Sequence, residues 1–141
     1  MISEQINSQA NKQKINISEP SILIRISKAF KHSMSERELY DFTRGFWKVK
    51  IKNAEKAIYG FAIYRGVIQE VYEISKWQKA GSTENVRNSN IAELKKIENR
   101  LEFIGEIAKN SIREKYRFKS VAHYFKKGNS NPIMYININE K

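Results

Sequence analysis

The sequence predicts a single small α+β domain: a curved, mostly antiparallel sheet or partial barrel with short helices. Three observations carry this. The chain has 141 residues and is 40% hydrophobic, one domain's worth of protein with enough apolar matter for a core. Five or six runs show period-two or β-branched character, with irregular segments between them. The long helices that a doubly wound parallel sheet needs as crossovers are missing.

Residues 1–20 are polar and rich in Asn, Gln and Ser, and they read as a poorly packed arm ahead of a domain over 21–141. Ser21–Phe30 opens with Ile22, Ile24 and Ile26 in alternation, a strand pattern. Ser35-Glu36-Arg37-Glu38 is a capping box: the Ser35 hydroxyl accepts from the Glu38 amide while the Glu38 carboxylate reaches back. A short helix to about Thr43 follows, stopped at Gly45. Phe46–Ile51 alternates again and reads as a strand, and Lys52–Lys56 as a turn. Ala57–Trp77 holds two β-branched and aromatic runs around Arg65-Gly66, a hairpin. Residues 78–99 form a polar loop, with a helical turn or two over Ile91–Ile97. Leu101–Ala108 returns to strand, Ser111 caps a helix through Tyr116, and Val121–Phe125 is a second short helix. Gly128–Pro132 is a turn cluster before a last strand over Ile133–Ile138.

The charge is strongly one-sided. Lysine plus arginine is 26 against 15 acids, a formal net charge of +11 that favours a polyanionic partner. It is also clustered. Lys109–Lys127 carries seven basic residues against Glu114 alone, and Arg44–Lys56 carries five against Glu55. Aromatics are interleaved with both clusters: Phe46 and Trp47 in one; Tyr116, Phe118, Tyr124 and Phe125 in the other. Cations neutralise phosphates and release counterions, while an exposed ring offers a face on which a base stacks.

Several chemistries are excluded or disfavoured. There is no cysteine, so disulfides, thiolate zinc sites and cysteine nucleophiles are out. Asp41 is the only aspartate, which argues against a two-metal nuclease. Glu93-Leu94-Lys95 matches half of a nuclease signature but reads as helix surface. His32 and His123 sit in no metal-binding spacing, so neither metal nor cofactor is expected. His123 lies between Lys119 and Lys126, where cations push its pKa down. A neutral imidazole there suits a general base in metal-free RNA cleavage. No stretch has the apolar length of a membrane span or a signal h-region, so a soluble cytoplasmic protein is expected.

Three blocks are distinctive. They are Thr43-Arg44-Gly45-Phe46-Trp47-Lys48-Val49, the run from Tyr59 to Tyr72 leading to Trp77, and Lys119-Ser120-Val121 with Tyr124-Phe125 and Asn131-Pro132-Ile133. Together they resemble a small bacterial domain family, over residues 21–138. The layout is also similar in outline to PUA-like modules such as the ASCH and EVE groups. That likeness implies a curved-sheet module that binds RNA or modified bases.

Two functions follow. The first is a nucleic-acid-binding module. In it Arg44, Lys48, Arg113, Lys115, Lys119, Lys126 and Lys127 contact phosphates, and Trp47, Tyr64, Trp77 or Tyr124 stacks on or cages a base. The second is a small metal-independent RNA-directed enzyme, a nuclease or base hydrolase, using His123 with Arg44 and Tyr124. An adaptor for an acidic protein is a third use of the same charge. The first reading requires residues 44–56 and 109–128 to share one surface.

Overall fold

The computed structural model describes residues 12–26, 30–83 and 98–138. The elements run β1 (Ser21–Arg25), α1 (Glu36–Arg44), α2 (Ile51–Ala54), β2 (Tyr59–Tyr64), β3 (Val67–Lys79), β4 (Leu101–Ile107), α3 (Asn110–Tyr116), a 3-10 turn (Ala122–Tyr124) and β5 (Ile133–Ile136). The five strands form one open sheet in the order β4-β3-β2-β1-β5. Three of the four pairings are antiparallel, while β1 and β2 run parallel, Ser21 beside Tyr59. The fold is the expected α+β class, with one crossover through α1 and α2 in place of none. The helical turns expected over Ile91–Ile97, the Glu93-Leu94-Lys95 motif and residues 1–11 of the arm lie outside the described residues.

Both faces of the sheet are covered, which explains the unbroken apolar runs of β1 and β2. Leu23, Phe61, Ile63, Ile68 and Val71 point to one face, under α3, Tyr116 and Val121. Ile22, Ile24, Ala62, Tyr72 and Phe103 point to the other, with Leu39, Tyr40, Trp47 and Trp77 packed around them. The capping box of α1 forms as expected: the Glu38 amide donates to Ser35 Oγ at 3.1 Å and the Ser35 amide to Glu38 Oε1 at 3.0 Å. The hairpin also forms. Arg65 and Gly66 both take positive φ, 51° and 77°, as a two-residue turn between twisted strands requires.

Several local expectations are corrected. Phe46–Ile51 is not a strand: only Trp47 bridges to Leu101, and the helix α2 starts at Ile51 in place of the expected turn. Lys109, not Ser111, precedes α3, because the Lys109 carbonyl already accepts from the amides of Ile112 and Arg113. The arm is packed over residues 12–20. Ile15 N–H donates to the Ser120 carbonyl at 3.0 Å, Ser120 N–H donates to the Gln13 carbonyl at 2.7 Å, and Ile17 is buried in the first core. Ile15 and Ile17, a short apolar pair in a polar run, pack it against the first core.

One end of the molecule is defined by these pairings. Residues 118–121 run along the start of β3, with Phe118 N–H donating to the Ile68 carbonyl and Val121 N–H to the Gly66 carbonyl, both at 2.7 Å. The ends of β1 and β2 and the start of β5 meet at the same place, since Ile24 pairs with Ile133 and Tyr64 with Val67. The far end of β3, where Lys79 pairs with Leu101, is about 40 Å away along the strand.

Candidate functional site

Arg25 closes β1, Arg65 forms the hairpin tip, and Lys126 and Lys127 precede the Gly128 turn. The fold brings these four cations around one cleft of about 350 Å³, walled by Gly66, Ala122, Phe125, Gly128 and Asn129. No acidic side chain is among the described residues lining it. The cleft is built, not merely charged. Arg25 Nη2 donates to the carbonyls of Asn129 and Asn131, each at 2.6 Å, and its guanidinium lies 4.7 Å from the Phe125 ring centre. Those partners are neutral, so the charge of Arg25 still acts on the cleft. The loop is shaped by its own asparagines. Asn129 Oδ1 accepts from the Asn131 amide at 2.9 Å, and Asn131 Oδ1 from the Ile133 amide at 3.0 Å. Gly128 has φ +86°, a backbone state that side chains disfavour. Four like charges lining one cleft repel one another, an arrangement that an anionic ligand relieves.

The two basic segments do not share a surface. Trp47 and Trp77 pack on the second core, while Tyr124 and Phe125 pack on the first, across the sheet. The single cradle expected from residues 44–56 and 109–128 is therefore corrected to a cleft made by the later segment with Arg25 and Arg65.

The other expected contacts divide by what holds them. Arg44 is 2% exposed and lies against Asp41 (2.8 Å) and Glu102 (3.2 Å), both fully buried, so its expected phosphate contact is corrected to a structural role. Arg113 is corrected likewise. It makes two 2.9 Å hydrogen bonds to the buried Glu70 carboxylate, which raise its pKa further. Lys115 lies 3.5 Å from Glu19, and Lys119 Nζ donates to the Lys115 carbonyl at 3.3 Å. Lys48 is exposed, but beside Trp47 on the far side. The indole N–H groups of Trp47 and Trp77 donate to the carbonyls of Thr43 (2.8 Å) and Ala54 (3.1 Å), anchoring both rings half-buried. Tyr124 is half-buried, and its hydroxyl accepts from the Ile17 amide at 2.9 Å, pinning the arm. Tyr64 packs on Phe30, ring centres 4.6 Å apart, and the Arg65 guanidinium lies over the Tyr64 ring at 5.3 Å.

His123 is exposed next to the cleft residue Ala122. Its Nε2 lies 2.8 Å from Asn16 Oδ1, and its ring tilts over Tyr124 at 4.4 Å. Its pKa is lowered below the ordinary imidazole value, the direction expected from the sequence, but the causes are burial and then the Lys14 charge in place of Lys119 and Lys126. Its side-chain hydrogen-bond partner is an amide, not the carboxylate that usually orients a catalytic imidazole. Among the described residues no three acids or histidines converge on a metal position, and no helix is long and apolar enough to cross a membrane.

Sequence reading missed Arg25 and Arg65. Arg25 interrupts an otherwise apolar run, and Arg65 occupies a turn position usually taken by Asn, Asp or Gly. Each is a charge at a strand end, a signal that gains meaning only when the ends are brought together. No family model matches the chain, and no characterised protein or solved structure shows significant similarity to it.

Proposed function

We propose that this protein binds nucleic acid, holding the phosphate chain in the cleft formed by Arg25, Arg65, Lys126 and Lys127. The observation that carries this is the convergence of four cations, from three separate parts of the chain, on one concave site whose described lining has no carboxylate. A net charge of +11 adds long-range attraction for a polyanion. Phosphate backbone is the ligand class that uses spaced point charges without a dedicated acid, base or metal. His123 serves in this reading as a further contact beside the cleft.

Fluorescence anisotropy on a labelled 15-nucleotide oligonucleotide tests it. With four phosphate contacts, log K falls by about 3 per tenfold rise in salt, at roughly 0.7 per contact for a single strand. Charge reversal at Lys126→Glu with Lys127→Glu lowers affinity at least about tenfold at low salt. Lys48→Glu, on the far side, changes it less than about twofold. Affinity that ignores salt, or that survives the double reversal, overturns the proposal.

A further inference from the structure

We infer that Phe118 is a stacking platform for an unpaired base, so that the ligand of the cleft is a single strand; this rests on the nucleic-acid reading above. Three features of Phe118 set it apart. The chain turns there out of α3 with φ +66°, the left-handed region usually reserved for glycine just past a helix end. A bulky residue is a genuine outlier in that state and needs a compensating use. Burial accounts for only part of one, because Phe118 remains 37% exposed.

What the ring does have is position. The Arg117 guanidinium lies over this exposed ring, 4.6 Å from its centre, and Lys12 Nζ lies over it at 5.6 Å, so cations sit against the ring itself. The backbone beneath is fixed by hydrogen bonds in both directions between residues 118–119 and Ile68, 2.7 and 3.0 Å. The platform is thus rigid before any ligand arrives, which keeps the entropic cost of binding low. Three residues further, about 10 Å of extended chain, Val121 hydrogen-bonds to Gly66 of the cleft wall. A strand whose phosphates lie in the cleft therefore runs past Phe118 within one or two nucleotides. A base in a duplex is already stacked and paired, and its face is closed to a side chain unless it is flipped out. A single strand satisfies charge and ring together without any base being flipped out of a helix.

The test compares the full-length protein and its Phe118→Gly and Phe118→Trp variants. The probes are a labelled 15-nucleotide DNA strand, the same sequence in RNA, and the blunt DNA duplex. Wild-type protein is expected to prefer both single strands over the duplex by about tenfold or more. Phe118→Gly loses about tenfold on the single strands and stays within about twofold on the duplex. Its urea midpoint stays level or rises, because glycine suits the left-handed backbone. Phe118→Trp keeps the affinity, with indole fluorescence quenched on binding. Equal affinity for strand and duplex, or unchanged strand binding in Phe118→Gly, overturns this inference while leaving the cleft proposal intact. Loss of urea stability in Phe118→Gly with unchanged binding assigns the ring to holding Lys12 and the arm instead. Failure of the Lys126/Lys127 reversal overturns the cleft reading whatever Phe118 does.

Discussion

Replacing Arg44 is the sharpest test of how this fold uses its charge. The guanidinium lies between two carboxylates, Asp41 Oδ1 at 2.8 Å and Glu102 Oε2 at 3.2 Å, and donates to Thr83 Oγ1 at 2.8 Å. Breaking a buried pair by removing one partner costs about 3–5 kcal/mol, because the other charge is stranded. Here the lower end applies. Asp41 keeps Arg37 at 2.8 Å, and Glu102 keeps the Gln78 side chain, the Gly81 amide and the Thr83 hydroxyl, at 2.5–2.9 Å. Arg44→Met preserves most of the stem volume, so the loss reads the charge and not a cavity. About 3 kcal/mol is a large part of a total stability of about 5–15 kcal/mol. With a urea slope near 2 kcal/mol per molar, the midpoint falls by about 1.5 M. Oligonucleotide affinity, measured where the variant is folded, stays within about twofold of wild type, since Arg44 faces the core and not the cleft. A midpoint shift below about 0.3 M refutes the picture of a buried, charge-dependent network. Selective loss of affinity returns Arg44 to the binding surface.

Two further outcomes follow from the structure. A Cβ at position 105 would sit 2.3 Å from the Glu73 carbonyl, so Gly105→Ala must push β3 and β4 apart. A thermal melt should show a loss of about 1–3 kcal/mol, and a variant as stable as wild type contradicts this strand register. His123 titrates below the ordinary imidazole value of 6.5, with burial the leading cause and Lys14 the second. The imidazole is therefore mainly neutral at pH 7, and its extra positive charge, with any gain in oligonucleotide affinity, arrives only as pH falls below that value. An NMR titration reads the midpoint directly. Lys14→Met raises it only part of the way, and a midpoint above 6.5 refutes the assigned causes.

The parts of the fold that were legible are those set by near neighbours. The Ser35–Glu38 box, the hairpin turn at Arg65-Gly66 and the strand over Leu101–Ile107 each depend on residues within one element or its adjacent turn. The Phe46–Ile51 pattern misled because alternation reports only a potential strand; a ladder needs a partner edge, and only Trp47 meets one. The Trp47 and Trp77 rings misled for a related reason. A sequence gives no sign of which carbonyl an indole N–H will find, here Thr43 and Ala54.

By itself the chain determined how much positive charge this protein carries, that it is an α+β domain, and where its first helix and its hairpin begin. Those are additive or local properties. The tertiary structure alone decided which charges face outward. Arg44 meets Glu102 across 58 residues and Arg113 meets Glu70 across 43, so both are paired with the protein's own carboxylates. Arg25 meets the carbonyls of Asn129 and Asn131 across 104 and 106 residues, partners that fix it without neutralising it. Whether a cation can serve a ligand depends on which acid the fold lays beside it, and that pairing is a property of distance in space, not along the chain.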